Sequence, residues 1–118
     1  MALNAVVFPI LPGKTEDWRK FIAEITGPRH AEFAASRERV GAHERTFLQQ
    51  TPMGDMVIVT IEAEDPGKAF GQIVSAKDPF TVWFLEQVKS IHGVDLSVPM
   101  PPPSTQVVDS SKSPVSAR

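Results

Sequence analysis

Residues 55 to 65 read DMVIVTIEAED, and from Met56 to Ile61 every residue is apolar or β-branched. A strand with one face in water alternates apolar and polar residues; this segment does not, so both of its faces call for cover. The chain has 118 residues, which suits one domain around one core. Helices from the same chain can cover one face of its sheet. Something else has to cover the second.

The flanking sequence supplies the other elements. Ala5 to Leu11 reads as a first strand, turned by Pro12-Gly13. Thr15 is the expected N-cap of a helix that has Glu16 and Asp17 in its first turn. Trp18, Phe21, Ile22 and Ile25 then recur at the spacing of one buried helix face. A second helical segment is expected from Pro28 to about Val40, with Phe33 and Val40 inward and Gly41 as its stop. Ala42 to Gln50 reads as strand two. Thr51-Pro52-Met53-Gly54 turns it into strand three, the opening segment. Asp65-Pro66 and Asp78-Pro79 each pair a cap with a proline suited to a first helical position. Phe70, Ile73 and Val74 mark the first of these helices; Phe80, Phe84, Val88 and Ile91 mark the second, with Gly93 as its stop. Val94, Leu96 and Val98 alternate as a fourth strand.

The predicted fold is α+β: a ferredoxin-like βαββαβ unit with a four-stranded antiparallel sheet and both helical connections on one face. Strand one is then central. Pro9 cannot donate to a ladder, so it is expected near the strand's end or at a bulge. Val6, Phe8 and Ile10 oppose Ala5, Val7 and Leu11 on strand one, and Met56 and Ile58 oppose Val57, Val59 and Ile61 on strand three. Whichever set meets the helices, an apolar set is left over. Each large side chain left in water forgoes roughly 1.5–3 kcal/mol of burial. A second copy, packed sheet against sheet, solves the problem, so a homodimer is expected.

Three stretches carry a family resemblance: PILPGKTEDW (Pro9 to Trp18), HERTFLQ (His43 to Gln49) and SAKDPF (Ser75 to Phe80). From about Val6 to Leu96 the chain resembles the dimeric α/β-barrel superfamily, and within it a small branch without a characterised function. The resemblance implies two ferredoxin-like subunits joining their sheets into one barrel. It also implies a pocket between helices and sheet for a small organic molecule, in a monooxygenase- or isomerase-like enzyme or in a non-catalytic binding or assembly module. Haem-degrading members use an asparagine on the first strand with a tryptophan and a histidine on the last helix. Asn4, Trp83 and His92 are of those types, but Trp83 and His92 come too late after SAKDPF, and the roles are not carried over.

Composition excludes several chemistries. The formal net charge is -2, and arginines 29, 37, 39 and 45 alternate with glutamates, so no nucleic-acid stripe exists. There is no cysteine, hence no disulfide or thiolate chemistry, and a cytoplasmic setting is expected. The start, MALNAVVFPILPGK, reads as a strand rather than a signal peptide, and no membrane span is expected. Residues 99–118 hold five of the 11 prolines and read as an extended tail after a domain spanning 1–98. In that tail Thr105 to Val108 could add to a sheet edge.

The candidate site residues are few. His43 and Arg45 share a strand face with Phe47. If that face lined a cavity, a proton-transfer group and a fixed cation would stand beside an apolar wall, which suits catalysis on an acidic or carbonyl-bearing molecule. The alternative is a solvated face or an ion pair. Trp18 and Trp83 are expected near a ligand, with Ser75 and Asp78 as a polar corner at the pocket mouth; Asp78 can equally be just a helix cap. His30, His43 and His92 have no metal-ligand spacing, so no metal is expected, and His92 reads as a cation at a helix end. No Walker loop, dinucleotide fingerprint or nucleophile elbow is present, and no cofactor is expected.

Overall fold

The structure, a computed structural model, describes residues 1–98 and 104–111. Its elements run β1 (Ala2–Pro9), α1 (Thr15–Thr26), α2 (His30–Glu38), β2 (His43–Thr51), β3 (Gly54–Ala63), α3 (Pro66–Ser75) and α4 (Pro79–His92). The described chain is thus α+β, with four helices and a three-stranded antiparallel sheet in the order β1-β3-β2.

The doubly apolar segment β3 is the central strand, hydrogen-bonded on both sides. Phe8 pairs with Val57 and Val6 with Val59, while Leu48 lies opposite Val57 and Thr46 opposite Val59. These residues form the inner face, with Phe8, Val57, Ile61 and Ala63 buried. Trp18, Phe21 and Ile25 of α1 and Ile91 of α4 pack against it as one cluster. Phe8, Val88 and Leu96 form a second.

Several local expectations hold. Asp65 caps α3 by accepting from Lys68 N, and Asp78 caps α4 by accepting from Thr81 N and the Thr81 hydroxyl. Gly93 ends α4 in the left-handed region at φ 70°, where only glycine is unstrained. Pro9 is the last residue of β1, as its missing N–H demands.

Others are corrected. Thr15 is not a cap: Lys14 holds that position without a side-chain bond, and the Thr15 hydroxyl donates to Asp55 Oδ2 at 2.6 Å. Pro28 lies in the turn before α2, which begins at His30. The residues α2 buries are Ser36 and Arg37, with Phe33 and Val40 half-buried.

The largest correction is strand four. Among the described residues 94–98 form no strand. Asp95 Oδ1 accepts from both Ser97 N and the Ser97 hydroxyl, and Val98 N donates to Asp95 O. This local turn uses the groups a ladder would need. Leu96 still buries itself against the core, but by way of a turn. Consequently β1 is an edge strand in the described chain, not a central one. The Ser104 hydroxyl donates to its Ala5 carbonyl. Residues 104–111 form neither helix nor strand, so Thr105 to Val108 add none. The rest of the expected tail, 99–103 and 112–118, lies outside the described residues.

Candidate functional site

A cavity of about 280 Å³ lies between the inner sheet face and the helices. Its walls include Trp18, Phe21 and Ile25 from α1, Val57 and Val59 from β3, and Phe84 from α4. The helical spacing of α1 aims three large side chains at one place, and the two-residue period of β3 sets its inward set beneath them. Thr26 and His30, both exposed, line the cavity at the α1–α2 junction and mark where it reaches the surface.

Besides the exposed Thr26, His30 and Thr46, two groupings of buried polar side chains interrupt the apolar wall. Arg37 Nε donates to Glu44 Oε1 at 2.7 Å, with the two side chains only 7% and 6% exposed. Arg37 Nη1 also donates to Ser36 Oγ at 2.9 Å. The guanidinium stacks over the Phe33 and Phe84 rings at 4.4 and 4.7 Å, a cation–π arrangement suited to a buried arginine. Phe33 and Arg37 are four apart on α2, hence on one face. Glu44 stands on the inner face of β2, opposite Ile61.

The second grouping is His92, 5% exposed, in the last turn of α4. Its Nδ1 lies 2.8 Å from the Pro9 carbonyl oxygen. A carbonyl only accepts, so Nδ1 carries the proton and Nε2 is left with a lone pair. Burial holds the pKa of the ring below its ordinary value, against a smaller upward pull from the Pro9 bond. His92 is therefore a neutral core residue, which corrects its reading as a helix-end cation.

Of the residues singled out by sequence, Trp18 is on the cavity wall. His43, Arg45 and Phe47 are on the opposite, outer face of the sheet. There Glu62 Oε1 lies 3.3 Å from Arg45 Nη1 and 3.9 Å from His43 Nδ1. The structure brings those three together in an exposed cluster and does not bring them to the cavity. Trp83 packs on Phe21 and Phe80, under the Arg29 guanidinium at 4.3 Å. Ser75 is exposed and donates to Gln72 O at the end of α3. The Asp78 carboxyl is held below the ordinary range first by the Thr81 hydroxyl, as befits a cap. Neither Ser75 nor Asp78 lines the cavity. Among the described residues no group of three or more His, Asp or Glu side chains could hold a metal ion.

Arg37, Glu44 and His92 are the polar residues that sequence reading missed. Signals existed: His92 extends the stripe of Phe84 and Val88 by four residues, and Glu44 shares its strand face with Leu48. Compared with known proteins, the chain matches no family model, no curated protein and no solved structure.

Proposed function

We propose that this protein binds a small, mainly apolar organic molecule in the cavity between its sheet and its helices, and does so as a two-fold dimer. The observation that carries the binding reading is the cavity itself, an apolar space of about 280 Å³ in a domain this small. Native cores hold few voids larger than a water molecule. The space approaches the ~300–1,000 Å³ of small-molecule sites. Of the enzymatic readings that the superfamily resemblance implies, a cofactor-free monooxygenase or isomerase asks mainly for such a space.

The pairing reading rests on the outer face. Leu3, Val7 and Phe47 are 46%, 54% and 51% exposed there, and Val7, Ile58 and Phe47 form one apolar row across the three strands. Beside that row the charges are mixed, with Arg45 and His43 on Glu62. A face with both signs can meet its own copy about a two-fold axis, where a face of one sign would repel it. On this reading the subunit is ferredoxin-like and barrel-forming, which the α+β fold with its antiparallel sheet supports. The same face favours a second reading, in which the protein is a non-catalytic assembly module and the cavity stays empty.

Trp18 emission separates the two. In a Trp83→Phe background, small alkylbenzenes are expected to shift Trp18 fluorescence saturably. Val74→Phe, which fills the cavity from α3, is expected to abolish the shift while keeping the fold. Absence of any saturable shift, or a shift that survives Val74→Phe, rules out the cavity as the site.

A further inference from the structure

The cavity wall specifies more than apolarity. Its charged groups, Arg37 and Glu44, already satisfy each other at 2.7 Å, so a charged ligand would enter without a free counter-charge. Thr26, His30 and Thr46 also line the cavity but are exposed; the buried polar side chain left is His92. His92 Nδ1 is committed to Pro9 O, and among the described residues Nε2 has no protein partner, although the side chain is almost fully buried and lines the cavity. Among the described residues no fully occluded side-chain nitrogen or oxygen lacks a partner, so Nε2 is open to a water-sized group, and a ligand donor can take that place. Size adds a second constraint: a dry apolar cavity of about 150 Å³ already accommodates benzene, so this one has room for a single substituted ring.

We propose that the cavity takes a neutral, single-ring or short-chain molecule bearing one hydroxyl or N–H group, which donates to His92 Nε2 while the apolar body lies against Trp18, Phe21 and Val59. The burial that keeps the imidazole neutral preserves this acceptor at neutral pH. The proposal rests on the small-molecule reading above and narrows it to a donor-bearing class. His92 acts here as a binding residue; no chemical step is assigned to it.

The test uses the full-length protein with para-propylphenol, its donor-less methyl ether para-propylanisole, and para-propylbenzoate as the anionic counterpart. The phenol is expected to bind about tenfold more tightly than the ether, the scale of one satisfied hydrogen bond. His92→Phe is expected to erase that preference while still binding the ether. In the wild-type protein, nitrogen-15 NMR gives an answer that does not depend on the variant folding: the phenol moves the His92 Nε2 resonance upfield and the ether leaves it in place. Equal affinity for phenol and ether, a preference that persists in His92→Phe, or tightest binding of the benzoate would each overturn the donor assignment while leaving the small-molecule reading intact. If none of the three compounds binds, both readings fall together.

Discussion

His92 makes stability depend on pH in a direction opposite to that of an exposed, ion-paired histidine. Its folded pKa lies below the usual 6.5, so the unfolded chain takes up the proton first as pH falls. Stability is expected to be unaffected above 6.5, to drop as pH falls from there to the lowered value, and to level off below it. The ring packs against Phe8 and its Nδ1 bonds the Pro9 carbonyl, neither of which titrates. Urea midpoints across this window check it, and His92→Phe should flatten the slope. Asp78 acts in a separate, more acid window: its folded pKa is lowered, so its contribution is present above 3.8 and lost as pH falls through the folded value. Arg37 is the other residue with a large expected effect. Arg37→Met leaves Glu44 buried without its partner and is expected to cost about 3–5 kcal/mol. The double variant Arg37→Met/Glu44→Leu, apolar on both sides, should recover most of it by denaturant unfolding. A single variant as stable as the wild type would mean that the pair opens to water.

Among the elements, the helix starts were the most legible. Asp65-Pro66 and Asp78-Pro79 place a carboxylate acceptor and a preset φ at adjacent positions, and both helices begin there. Asp78→Ala is expected to destabilise by about 1 kcal/mol, measured by urea unfolding, with Asp78→Ser close to neutral. Thr15 shows where that logic stops, because its hydroxyl is drawn to Asp55 across the fold, and a helix start does not announce a distant partner. The missing fourth strand is the opposite case. Alternation at Val94, Leu96 and Val98 suggested a strand, but the contrary signal stood in Asp95-Leu96-Ser97, whose short polar side chains close a turn on their own backbone. Burial of Leu96 alone satisfies the alternation without any ladder.

For the whole molecule, the decisive surface is the outer sheet face. A dimer is expected by light scattering, and Phe47→Asp is expected to shift it to a single chain by placing a charge in the apolar row. Because the cavity is on the other face, the Trp18 response to alkylbenzenes should survive in that variant. A wild-type protein that scatters as one chain at all accessible concentrations sinks the pairing. Loss of the Trp18 response in Phe47→Asp would mean that cavity and interface are coupled. The site was less legible than the fold at this scale. His43, Arg45 and Phe47 were correctly placed on one face of β2, yet which face met the helices was open, and the cavity lies behind the other.

The sequence by itself determined the local periods: a doubly apolar central strand, helices with one greasy stripe, caps where aspartate precedes proline, and a hairpin at Thr51 to Gly54. These follow from interactions between residues a few positions apart, which any reader of the chain can count. Only the tertiary structure decided that Arg37 meets Glu44, that His92 bonds Pro9 across the domain, and that the inward sets leave a space rather than closing it. Those outcomes depend on how side-chain volumes from separate elements add up in three dimensions, and no spacing along the chain records that sum.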